Sequence, residues 1–77
     1  MPTIKIIDGI KINIYSNEHL PPHFHVIYGN YEALIQIKNL EIEKGKLPNR
    51  QYKKVKKWAS GYQNALNNIF EQFNPDL

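Results

Sequence analysis

Three histidines, His19, His23 and His25, fall within the stretch HLPPHFHVIYG, residues 19–29, and the chain has no others. Imidazole is suited to moving protons at neutral pH and is the commonest metal ligand. In an extended segment, residues i and i+2 lie about 6.5–7 Å apart on one face. His23 and His25 can therefore meet at one ion or one substrate. Three chemistries compete. As metal ligands, His23 and His25 would be joined by His19, folded back by Pro21 and Pro22, with Glu32 or Glu18 completing the set. As an acid–base pair, one neutral and one protonated ring would cleave RNA without metal. The ribose 2′-OH would be the nucleophile and a nearby lysine would steady the developing charge. As structure, the two prolines impose an extended lead-in, and the rings fill a half-exposed sheet face or dock a partner. H-x-H is a short pattern that recurs by chance, and zinc sites draw on richer ligand sets. The structural or docking reading therefore leads, and no cofactor is expected.

The elements that must hold this stretch read as strands over about residues 3–43, followed by a helix over about 48–73. TIKII and IKINIYS flank Asp8-Gly9, a strong hairpin signal. A two-residue turn would pair Ile6 with Lys11. A three-residue loop over residues 8–10 would pair Ile6 with Ile12 and Ile4 with Ile14, and burial favours this second register. A second hairpin turns at Gly29-Asn30, pairing Tyr28 with Tyr31, Val26 with Ala33 and Phe24 with Ile35. Its apolar face is Phe24, Val26, Tyr28, Ala33, Ile35 and Ile37. His23 and His25 lie on the other, mixed face with Ile27, Glu32, Leu34 and Gln36. LEIE, residues 40–43, suits a short last strand.

Pro48 opens the helix, where its missing N–H costs little. Val55, Trp58, Tyr62, Leu66, Ile69 and Phe73 follow at spacings of three and four, with Ala59, Ala65 and Phe70 widening the stripe. Gly61 interrupts it at a cost of about 1 kcal/mol relative to alanine, offset by close packing on the sheet. The expected fold is α+β: a four- or five-stranded antiparallel sheet with one long C-terminal helix on one face. The other face is left for solvent or a partner.

The chain reads as one domain, residues 1–77. A core this small benefits from a partner or a homo-oligomer. With no cysteine, thiolate chemistry and disulfides are excluded. The first residues do not read as a signal peptide and no apolar run suits a membrane span, so a cytoplasmic protein without membrane contact is expected. Seven of the ten basic residues, Lys44, Lys46, Arg50, Lys53, Lys54, Lys56 and Lys57, occupy a window free of acidic residues. Within it Arg50, Lys53, Lys54 and Lys57 form one helical stripe, a surface for RNA or DNA or for an acidic protein. Tyr52 is the aromatic residue placed to stack on a base.

One ordered set of motifs runs through nearly the whole chain: MPTI at residues 1–4, GIKINIY at 9–15, HLPPHFHVIYG at 19–29, EALIQI at 32–37, GKLPNR at 45–50 and VKKW at 55–58. This set resembles the small prokaryotic family called domain of unknown function 4160 (DUF4160). Genes of that family often stand beside another small gene, in an arrangement similar to toxin–antitoxin pairs. The resemblance implies a component of a two-protein module that binds a small co-encoded protein, with nucleic acid as a second partner. It carries over no catalytic residues. The alternatives are a metal-independent ribonuclease using His23 and His25, and a metal-binding module using His19, His23 and His25.

Overall fold

Asp8 and Gly9 both adopt positive φ, 48° and 81°, which is the backbone of a two-residue hairpin turn. In this computed structural model, which describes residues 3–77, they join β1 (Thr3–Ile7) to β2 (Ile10–Asn13). Met1 and Pro2, the start of the MPTI motif, lie outside the described residues. Ile6 pairs with Lys11, so the three-residue loop expected from burial does not form. The strand solves the burial problem differently. Its register shifts between Thr3 and Lys5, leaving Ile4 as the extra residue of a bulge. Ile4 and Ile7 then both pack on the core, and Ile6 remains 59% exposed.

β3 (His23–Tyr28) and β4 (Tyr31–Gln36) pair in the expected register, Phe24 with Ile35, Val26 with Ala33 and Tyr28 with Tyr31. The last strand, β5, runs Ile42–Gly45, slightly later than the LEIE stretch. The five strands form an antiparallel meander in the order β1-β2-β3-β4-β5. Pairing across the ladders sets two rows on the face away from the helices. One is Ile6, Lys11, Ile27 and Glu32; the other is Thr3, Asn13, His25, Leu34 and Lys44.

The C-terminal part is two helices, not one. α1 spans Asn49–Ser60 and α2 spans Gln63–Phe73. Pro48 stands just before α1, its carbonyl accepting from the Tyr52 N–H at 3.0 Å. The break falls at Gly61, where the Ser60 hydroxyl also bonds back to the Lys57 carbonyl at 2.9 Å. Gly61 does not pack closely on the sheet. It is exposed, and a Cβ on it would find only the Trp58 carbonyl oxygen, 3.7 Å away. Its part in the break is its poor helix propensity. The Gln63 side chain anchors the new helix by donating to the Ile37 carbonyl at 2.8 Å.

Val55, Ala59, Leu66 and Phe70 are the buried helix residues, packed on Ile10, Ile12, Ile14, Phe24, Val26, Ile35, Ile37 and Leu40. Trp58 and Ile69 pack at the margin. Tyr62, expected in the stripe, sits at the break, 53% exposed and stacked on Trp58 with ring centroids 5.4 Å apart. Phe73 and Ala65 are exposed as well.

Candidate functional site: a histidine–carboxylate cluster

The loop from Ile14 to Pro22 leaves β2 and returns to β3 across the end of the sheet. Asn74, buried at the C-terminal end of α2, holds it there. The Asn74 amide donates to the Tyr15 carbonyl at 2.9 Å and to the Phe70 carbonyl at 3.0 Å. Its side-chain oxygen accepts from the Glu18 N–H at 2.9 Å. Glu18 is thereby fixed over the first residues of β3. The peptide between Leu20 and Pro21 is cis, and the Pro22 carbonyl continues the ladder by accepting from the Ile37 N–H at 3.1 Å.

His23 and His25 are brought together as period two requires, but their surroundings differ. The His23 side chain is fully enclosed, with its ring 5.4 Å from that of Phe70. Its Nδ1 donates to the Pro21 carbonyl at 2.9 Å. A carbonyl only accepts, so Nδ1 carries a proton, and in the neutral ring Nε2 presents a lone pair. That Nε2 has no hydrogen-bond partner among the described residues. It lies 3.5 Å from Glu18 Oε1, a charge contact without hydrogen-bond geometry. His25 is partly open. Its Nε2 donates to the same Glu18 oxygen at 2.5 Å, and its Nδ1 lies 3.5 Å from Glu32 Oε2. The Tyr15 ring packs edge-on against it at 4.6 Å. Tyr15 is steadied in turn, because the Asn13 amide donates to its hydroxyl at 2.8 Å and Thr3 donates to Asn13 at 2.7 Å.

His19 does not join the cluster. Its ring lies 4.7 Å from that of His23, but its Nε2 pairs with Glu43 at 3.2 Å. The convergent set is Glu18, His23 and His25, with one ligand atom from each and all three within 4.8 Å of one another. A shallow cleft of about 330 Å³ opens beside it, lined by Glu18, His19, His25, Glu32 and Lys44 among others.

Burial acting alone would raise the Glu18 carboxyl. The hydrogen bond from His25 and the charges that His25 and His23 carry when protonated outweigh it and hold the carboxyl below its usual value. A depressed carboxylate stabilises the fold above its ordinary pKa, and this contribution is lost as pH falls through the lower folded value.

Both Nε2 atoms lie near one Glu18 carboxylate oxygen, and the His23 side chain is closed to solvent. Tyr52 stands at the core margin, with Lys56 Nζ 4.9 Å from its ring centroid. Its hydroxyl donates to the Leu40 carbonyl at 2.7 Å and its ring packs on the core. Asn74 was not legible in the sequence. The residue it positions, Glu18, is 56 positions away, and an asparagine before a proline signals only a helix end. Replacing Asn74 with alanine strands the Glu18 N–H and the Tyr15 carbonyl, an expected cost of about 2–3 kcal/mol. A thermal melt checks this, and the His25 ring resonances should shift because Glu18 is released.

Arg50, Lys53 and Lys57 are exposed on α1, and Lys54 pairs with Asp8 at 2.9 Å. Lys44 stands apart, on the cleft at the opposite face of the sheet.

These observations define a small α+β domain that carries a histidine–carboxylate cluster at one end of an antiparallel meander. Residues 9–71 match the family described as Domain of unknown function (DUF4160), and the chain belongs to that family. Comparison with curated proteins and with solved structures finds no match. No helix among the described residues is long and apolar enough to cross a membrane.

Proposed function

We propose that the protein is a nucleic-acid-binding component of a two-protein, toxin–antitoxin-like module. The observation that carries this reading is the unbalanced charge of α1. Arg50, Lys53 and Lys57 face solvent, no acidic residue lies between positions 44 and 57, and within the stripe only Lys54 has an acidic partner among the described residues. Such a surface suits a phosphate backbone, which rewards cationic side chains through counterion release whatever the base sequence. The two-protein part rests on the family resemblance. It is supported by a sheet face that the helices leave uncovered, where Ile6 is exposed and Ile27 only half-buried.

Sedimentation velocity with a labelled short duplex, with and without the co-encoded neighbour, tests both parts. The duplex should co-sediment at low salt. Three phosphate contacts predict that log K falls against log salt with a slope of about −3. The paired substitutions Lys53→Glu and Lys57→Glu should abolish that binding without unfolding the chain. Absence of any complex with nucleic acid at low salt removes the nucleic-acid reading. A chain that stays a monomer beside its neighbour removes the two-protein reading.

A further inference from the structure

We infer that Glu18, His23 and His25 form a three-ligand site for a divalent transition-metal ion of the zinc class. The argument starts from His23 Nε2, a buried nitrogen with no hydrogen-bond partner among the described residues. An acceptor enclosed without a donor is costly, and such an atom in a native protein calls for an explanation, an ion among them. This nitrogen does not face apolar side chains alone. It faces the Glu18 carboxylate oxygen at 3.5 Å, which is itself an acceptor. In the neutral ring two electron-rich atoms are thus held against each other, and a cation between them resolves the repulsion.

For His23 the tautomer is already set for metal. Histidine ligands characteristically donate their second ring N–H to a backbone carbonyl or a carboxylate, which fixes the ring and raises its basicity. His23 Nδ1 does this to the Pro21 carbonyl at 2.9 Å. His25 Nδ1 lies 3.5 Å from the Glu32 carboxylate, which would accept its N–H once metal displaces the proton on Nε2. Both Nε2 atoms stand beside the same Glu18 oxygen.

The spacing fits as well. Ligands about 2.0–2.2 Å from a tetrahedral ion stand about 3.3–3.6 Å from one another. His23 Nε2 and Glu18 Oε1 are 3.5 Å apart, and the three ligand atoms lie within 4.8 Å. His25 Nε2 now donates a proton to Glu18 across 2.5 Å. Metal displaces that proton, and the carboxylate withdraws by about 1 Å to its place in the coordination shell. Nitrogen-rich ligation selects zinc, cobalt or nickel over magnesium or calcium. Glu18 and His25 both line the cleft, so the fourth position of a four-coordinate ion is left to water or a substrate oxygen, with Lys44 alongside. His19, turned to Glu43, is not a ligand.

The test is titration of the untagged full chain with zinc chloride, read by calorimetry and by the imidazole resonances. Cobalt serves as a second probe, read by its visible d–d absorption. Expected are saturable one-to-one binding, movement of the His23 and His25 resonances, and no response to magnesium. Glu18→Gln and His25→Ala, both at partly open positions, should weaken binding by more than tenfold. Glu32→Gln should weaken it by about tenfold, and His19→Ala should leave it unchanged. Absence of saturable zinc binding overturns the proposal. So does binding that Glu18→Gln and His25→Ala leave unaltered, or that depends on His19.

Discussion

Gly45→Ala should cost about 3–4 kcal/mol and lower the melting temperature by more than 12 °C. Gly45 has φ +81°, a region where a side chain is strained by about 1 kcal/mol. Space is the larger problem. Gly45 pairs with Ala33 across the β4–β5 ladder, and a Cβ there would overlap the Glu32 carbonyl oxygen and stand 3.1 Å from Ala33 Cα. Both are backbone atoms of a central strand, so β5 must move instead. It would give up the bond from the Lys46 N–H to that same carbonyl, now 3.1 Å. Glu32, which faces His25, would be disturbed with it. Gly61→Ala is the internal control. Gly61 has φ −89°, and a Cβ there would meet only the Trp58 carbonyl oxygen at an ordinary contact of 3.7 Å. The same substitution there should be neutral or stabilising by up to about 1 kcal/mol. Paired thermal melts decide the matter, and a Gly45→Ala protein as stable as the parent would refute the close approach.

Phe70→Ala should cost about 3–5 kcal/mol. A domain of this size holds only about 4–12 kcal/mol in total, so the variant should be partly unfolded at 37 °C. Phe70 is 1% exposed and completes the core between Leu66 and the sheet. It also forms one wall around His23. Deleting the ring opens a cavity beside that imidazole and loosens the last turn of α2, where the Phe70 carbonyl accepts from Asn74. Phe73→Ala, three residues on, should cost less than about 1 kcal/mol because Phe73 is 38% exposed. Denaturant unfolding of the two variants should separate them by at least about 2 kcal/mol. Equal midpoints would contradict the packing of α2.

This pair of phenylalanines shows where periodicity stops being informative. Val55, Ala59, Leu66 and Phe70 are spaced four, seven and four, which an unbroken helix would also produce. The break at Gly61 therefore leaves no phase slip in the apolar pattern. The exposure of Tyr62, Ala65 and Phe73, all members of the expected stripe, reveals it. The first hairpin shows a related limit. Burial of Ile4 and Ile6 argued for a three-residue loop, but a bulge at Ile4 satisfied the core with the tighter turn. A bulge shifts register without any residue type that announces it.

Local chemistry alone determined the second hairpin, the two faces of β3 and β4, the α+β order of elements and the cationic face of α1. Each depends on neighbours two to four positions apart, and the family membership rests on motifs equally local. Tertiary structure decided the rest. It selected Glu18 over His19 as the companion of the two histidines, because Asn74 pins Glu18 in place from the far end of the chain while Glu43 draws His19 away. It enclosed His23 and left His25 open, although period two places them on one face. Burial and convergence arise from contacts between residues distant in sequence, and such contacts leave no periodic trace in the chain.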